Sequence, residues 1–283
     1  MNAENCYWQK LRKKNIKKAE NLLRENEYFY TSACGRFISG VQINTPVWTF
    51  LNKSKEIKAM LINSKSTLLP VLNGIEEIDD MNFLKKFIKR KNIHSVQGLT
   101  NEVMLLENIL KDMGMVTDDI FDYDLMNLDN ITPIKTFSSK SEGIILRNPL
   151  MTDLDALAPL QEGYEKEEVL PKSGTFHPAS SRLNIANIIA GKKILVAELN
   201  GKLVGKINVS SVSFTRYLVG GIYVHPEFRG RGIAKRMTYK FISSIFSKDT
   251  GVSLFVKKNN YPAKKIYEDI GFKKIGDYRI TYY

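Results

Sequence analysis

Leu218-Val-Gly-Gly-Ile-Tyr-Val-His-Pro-Glu-Phe-Arg-Gly-Arg-Gly-Ile-Ala-Lys-Arg236 changes its periodicity twice. Ile222, Tyr223 and Val224 read as a β-strand, Arg229 to Gly232 as a basic glycine turn, and the apolar positions out to Phe241 and Ile245 as a helix that opens near Gly232. The first backbone N–H groups of a helix have no intrahelical partner, and the helix dipole adds partial positive charge at that end. Gly230 and Gly232 remove the Cβ atoms that would block an approaching anion, while Arg229, Arg231 and Lys235 add cationic charge around it. Strand, glycine turn and helix so composed make an anion site, and a pyrophosphate fits it.

The spelling of the turn excludes two common phosphate loops. It contains neither G-x-x-x-x-G-K-[ST] nor G-x-G-x-x-G with an acidic residue about twenty positions on, which argues against nucleotide hydrolysis and dinucleotide binding. The spelling is Arg229-x-x-Gly232-x-Ala234, and a second motif follows the short apolar stretch Val252-Ser-Leu-Phe-Val256: Asn260-x-x-Ala263-x-x-x-Tyr267-x-x-x-Gly271-Phe272. In order and spacing the pair resembles the acyl-CoA signature and the following helix of the GNAT superfamily of N-acetyltransferases. The resemblance covers about residues 142–283.

What the resemblance implies is specific. Ile222, Tyr223 and Val224 would pair with the pantetheine arm of acetyl-CoA. Arg229, Gly230, Arg231, Gly232, Ile233, Ala234 and Lys235 would hold the pyrophosphate, and Asn260 would touch the pantetheine or the far end of the cofactor. Tyr267 would protonate the departing thiolate. The implied reaction moves an acetyl group from acetyl-CoA to a primary amine of a small molecule, peptide or protein by direct attack in a ternary complex, with no metal. A CoA-binding regulatory or interaction protein without turnover is the alternative. Each residue also has a plainer role: Asn260 can cap a helix, Tyr267 can be a core aromatic, and Gly271 can be a left-handed C-cap.

A base for the acceptor is less legible. Glu165, Glu167 and Glu168 lie in the segment that walls the acceptor site in this superfamily, and Glu168, directly before Val169-Leu170-Pro171, is the candidate. His225 precedes a proline and is disfavoured.

Composition sets the outer bounds. A chain of 283 residues, 43% hydrophobic, suits two ordinary domains of a soluble globular protein, with no apolar run near the roughly eighteen residues of a membrane span. Without a signal-peptide core behind the basic N-terminal residues, a cytoplasmic location is expected. Two cysteines and three histidines with no paired spacing indicate neither a disulfide framework nor a metal centre. The net charge of +12 would suit a nucleic-acid partner. Most of the excess nevertheless lies with the cofactor motifs: residues 141–283 carry 22 Lys/Arg against 13 Asp/Glu, and 1–140 carry 20 against 17. An anionic cofactor therefore takes precedence over nucleic acid, and a homodimer stays an open option.

The remaining chain reads as a second copy of the same α/β (α+β) order, a mixed central sheet flanked by helices. Residues 8–25 read as a basic amphipathic helix, Cys34 to Gly40 as a loop or short strand, and Val47–Leu51 with Ile57–Ile62 as a strand pair. Strand, helix, strand, helix, strand then follow between Leu68 and Leu128, the order of the C-terminal half. Thr152 and Ser180 or Ser181 start helices, and Asn200-Gly201 turns a hairpin. Expected boundaries are a degenerate GNAT-like domain at 1–135, a linker at 136–143 and a catalytic GNAT domain at 144–283. The first copy has Gly74-Ile-Glu-Glu-Ile-Asp-Asp80 where the second has its glycine turn, and acids there would repel a pyrophosphate.

Overall fold

The computed structural model describes residues 6–42, 46–75, 81–89, 92–133 and 143–283. Most of the linker 136–143 and the acidic run 76–80 lie outside the described residues. The chain divides into two compact units: Met1–Leu125 with Ser211–Arg216 and Ile275–Tyr283, and Met126–Ser210 with Tyr217–Lys274.

In the first unit the order is β1 (Tyr7–Lys10), α1 (Ile16–Glu25), α2 (Glu27–Gln42), β2 (Val47–Leu51), β3 (Ile57–Ser64), β4 (Thr67–Val71), α3 (Met81–Lys89), β5 (Ser95–Leu99), α4 (Thr100–Asp112) and β6 (Asp119–Leu128), of which residues 126–128 belong to the second unit. The second series repeats that order as β7 (Ile144–Arg147), α5 (Leu154–Tyr164), α6 (Pro178–Ala190), β8 (Ile194–Leu199), β9 (Lys202–Val212), β10 (Arg216–Val224), α7 (Ile233–Ile245), β11 (Gly251–Lys257), α8 (Tyr261–Ile270) and β12 (Lys273–Tyr282). Antiparallel neighbours β1 to β4 and a parallel pair between β4 and β5 make the sheet mixed.

Packing repeats with the order. Ala19, Leu22 and Leu23 of α1 and Ala33 and Phe37 of α2 join one core, while Leu84, Phe87 and Ile88 of α3 and Val103, Leu106 and Leu110 of α4 join another. In the second unit α5 and α6 put Leu157, Leu160, Ile185 and Ile189 on Ile194, Val196 and Tyr223. On α7 and α8, Met237, Phe241, Tyr267 and Ile270 meet Leu195, Val219 and Leu254. Two helices cover each face, as amphipathic helices must where both faces are apolar.

The structure departs from the sequence reading in three places. Cys34 to Gly40 is neither loop nor strand but part of α2. Gly35 is there for close approach, since a Cβ would fall 2.0 Å from Ser211 Oγ. Residues 8–25 hold a strand as well as a helix, because Trp8 is a core residue on β1 and α1 opens only at Ile16. The last strand of each series is exchanged: Tyr278–Tyr282 pair antiparallel with Leu99–Ser95 of β5, and the end of β6 lies beside β11, where Ser253 Oγ donates to Asn127 Oδ1 at 2.5 Å. Residues 275–283 therefore belong with the first unit and 126–133 with the second, across the expected boundaries at 135 and 144.

Candidate active site

β10 leads through a short 3-10 turn (Pro226–Phe228) into the glycine turn. Gly230 and Gly232 have φ of +75° and +78°, left-handed values that a side chain resists, and Gly232 is the N-cap of α7. The first intrahelical donation is Arg236 N to Gly232 O at 3.1 Å, so the N–H groups of Ile233, Ala234 and Lys235 sit at the open end of the helix. The cations around the turn have internal partners. Arg229 donates to Val224 O at 2.9 Å and to Glu167 at 2.8 and 3.1 Å, Lys235 reaches Asp269 at 2.6 Å, and Arg231 lies over the Phe228 ring at 5.3 Å. Backbone donors and the helix dipole, more than mobile side-chain charge, are what this turn offers to an anion.

Glu167 comes from a single π-helical turn, Glu165–Val169, that extends α5. Its carboxylate takes the Arg229 guanidinium and, at 2.8 Å, the Tyr223 hydroxyl of β10. Burial alone would raise the Glu167 carboxyl, but these two donors outweigh it and hold the group below the usual carboxylate range. Glu165 accepts from Gln161 at 2.7 Å and Asn184 at 3.0 Å, and Glu168 pairs with Lys257 of β11 at 3.2 Å. Gly163 makes room for this arrangement, because a Cβ there would meet the Tyr223 hydroxyl at 2.3 Å.

On the other face, Asn260 Oδ1 accepts from Ala263 N at 3.2 Å and caps α8, and Gly271 closes it at φ +114°. Tyr267 is buried between them, edge-on to Phe272. Burial pushes its hydroxyl pKa well above the usual value, with the charges of Glu168 and Tyr164 adding to the effect, so the group stays a proton donor through the physiological range.

One buried charge has no counterpart in the sequence reading. Lys206 of β9 is fully enclosed; its Nζ donates to Gly221 O at 2.9 Å and Asn208 Oδ1 at 3.3 Å and lies 4.6 Å from the centre of the Tyr164 ring. Gly221 has φ of +61°, and a Cβ there would fall 2.0 Å from Asn208 Oδ1 and 2.9 Å from Lys206 Nζ. Burial lowers the Lys206 pKa to about 7, against a smaller opposing pull from Glu165.

Residues 190–274 match the family model for the acetyltransferase (GNAT) domain. The C-terminal region carries a GNAT acetyltransferase domain. The chain is 33% identical over 83 residues to N-alpha-acetyltransferase RimI of Mycobacterium tuberculosis and 38% identical over 65 residues to the human Cysteine-rich protein 2-binding protein. These matches cover 28% and 23% of this chain, and 51% and 8% of the respective relatives. A solved tandem GNAT protein from the clavulanic acid biosynthesis pathway superposes on 98% of both chains with a TM-score of 0.58 at 12% identity, which shows the fold.

Within the GNAT domain the expected site residues fall on three elements. Ile222, Tyr223 and Val224 are on β10, Arg229 to Lys235 on the turn into α7, and Asn260 and Tyr267 on α8. Glu168 is on the π-helical turn, within electrostatic reach of Tyr267. Glu167 was one of three equivalent acids in the sequence, and only the fold singles it out as the partner of Tyr223 and Arg229. Lys206 was missed. The available signal was the Gly220-Gly221 pair inside an apolar strand, which marks a bulge or a close approach.

Proposed function

We propose that the protein transfers the acetyl group of acetyl-CoA to a primary amine of a small molecule, peptide or protein, by direct attack in a ternary complex. The observation that carries this reading is the left-handed Gly230 and Gly232 at the open N-terminus of α7, directly after the strand Ile222–Val224 and in one domain with the capped helix of Asn260 and Tyr267. The pyrophosphate is held by the N–H groups of the turn, the pantetheine arm lies along β10, and strand N–H groups stabilise the oxyanion. Tyr267, kept protonated by its burial, gives its proton to the leaving sulfur. Glu168, paired with Lys257, serves on the wall of the acceptor side. The name of the mycobacterial relative makes an α-amine the first acceptor class to test.

The first unit takes no part in cofactor binding. Its β4 and β5 pair only at Thr67 with Ser95 and Leu68 with Val96. Beyond that point the buried Glu102 carboxylate accepts from Leu72 N and Asn73 N, both at 3.0 Å, and from Tyr30 Oη at 2.5 Å. An internal carboxyl group thus holds the backbone donors that follow β4. Calorimetric titration of acetyl-CoA into the full chain, with release of free thiol in the presence of amines, tests the whole reading: one site and amine-dependent release are expected. Absence of binding would leave the turn without a ligand, and two sites would overturn the silence of the first unit.

A further inference from the structure

We propose that Lys206 is the terminal base of the acetyl transfer, receiving the proton that the acceptor ammonium must lose before it can attack. This rests on the acetyl-CoA reading of the same domain.

The argument starts from place. Lys206 Nζ is hydrogen-bonded to the carbonyl of Gly221, the residue immediately before the strand Ile222–Val224 assigned to the pantetheine arm. The left-handed Gly221 draws in the Asn208 amide and the lysine together, in a space a Cβ would fill. Tyr164, which lies over the ammonium, is the last residue of α5 before the π-helical turn of the acceptor-side wall.

The titratable groups on the elements packed here are Tyr164 and Glu165 at the end of α5, with Tyr223 on β10. Glu165 is engaged by Gln161 and Asn184, and Tyr223 by Glu167. From β8 the facing residue is Val196. An enclosed amine so placed has its neutral form favoured, as burial brings its pKa to about 7. The nearby acids are weaker candidates, since Glu167 and Glu168 are each held in an ion pair.

The step balances. An R–NH3+ acceptor passes one proton to the neutral Nζ through an intervening water, because Nζ itself is enclosed. The freed lone pair forms the C–N bond to the acetyl carbonyl carbon and the C–S bond breaks. The second nitrogen proton ends on sulfur by way of Tyr267, and the Lys206 ammonium returns its proton to solvent.

The experiment uses the full chain and the variants Lys206→Met and Lys206→Arg. Thiol release from acetyl-CoA is followed between pH 5.5 and pH 9.5 with glycinamide, ethylamine and an alanyl tripeptide, and the Lys206 side chain is titrated by NMR through its Nζ and Cε signals. The expected results are a rate limb near neutrality in the parent, its disappearance in both variants with a loss of about a hundredfold at pH 7.5, and acetyl-CoA affinity within about threefold of the parent by calorimetry. A limb that survives in Lys206→Met, or a side chain still fully charged at pH 8.5, overturns the assignment. If none of the three amines is turned over, the titration decides alone. Loss of acetyl-CoA binding in the parent would count against the cofactor reading instead, so the two failures are distinguishable.

Discussion

The Glu167 carboxylate and the Arg229 guanidinium meet at 2.8 and 3.1 Å, tying the π-helical turn to the residue that opens the glycine turn. Both side chains are close to half exposed, so water screens the pair and its coupling is expected to be about 0.5 kcal/mol. A double-mutant cycle of Glu167→Gln and Arg229→Met in urea unfolding measures it. The Glu167 carboxyl is lowered from 4.5 in the fold, so its contribution is present above that value and fades as pH falls through the folded value. A coupling that grows below pH 4 would contradict the sign.

Gly232→Glu should abolish acetyl-CoA binding. The substitution puts a side chain at φ +78° and a negative charge at the end of α7 where a pyrophosphate is to sit. At least about a thirtyfold weaker titration is expected, roughly 2 kcal/mol, with the fold retained by circular dichroism. Parent-like affinity in the variant would place the anion elsewhere.

Tyr267→Phe keeps the ring in its core and removes only the hydroxyl. Turnover is expected to fall by about a hundredfold while acetyl-CoA affinity stays within a factor of about two. Unchanged turnover would remove Tyr267 from the reaction and leave it a core aromatic.

Lys206→Met tests a linkage in the unusual direction. Between about pH 7 and the ordinary lysine range the unfolded chain binds a proton that the fold does not, so stability rises with pH across that window. The penalty of the buried ammonium is therefore complete below about 7 and relieved above it. The variant should be more stable than the parent by a few kcal/mol, on the order of 2, at pH 6, and the gain should shrink by pH 9.5. A gain independent of pH would mean that Lys206 does not titrate in this range.

Glu102→Ala leaves two buried donors, Leu72 N and Tyr30 Oη, without their acceptor, and takes from Asn73 N one of its two acceptors, the other being Tyr30 Oη at 3.1 Å. A loss of about 3 kcal/mol of stability is expected, with acetyl-CoA still binding at one site and with parent affinity. A changed stoichiometry would show that the first unit is involved.

What could be read in advance was local. Asn200-Gly201 turns its hairpin with φ of 50° and 75°, Gly232 and Asn260 cap their helices, and Gly271 closes α8, because each of these geometries is written in the residue that adopts it. What could not be read depended on partners far along the chain. Gly35 looks like a helix breaker until Ser211 is seen against it, 176 positions away. Lys206 looks like an outward polar residue of an alternating strand. The extra residue in β9, where Glu198 faces Leu203 and Ala197 faces Gly205, shifts the alternation, and Leu203 to Asn208 are buried throughout, so Lys206 has no outward face to take. The candidate site was legible where it is backbone and caps, and illegible where it is a buried charge.

The strand exchange bears on how the protein is made. Asp122 and Glu107 bind Arg279, and β5 is paired by Tyr278–Tyr282. The first unit thus begins translation at the front of the chain yet waits for residues synthesised after the whole second unit. On the ribosome it cannot finish folding as an independent N-terminal domain. Until β12 arrives, β5 offers an unpaired strand edge, an exposure that natural sheets otherwise guard against.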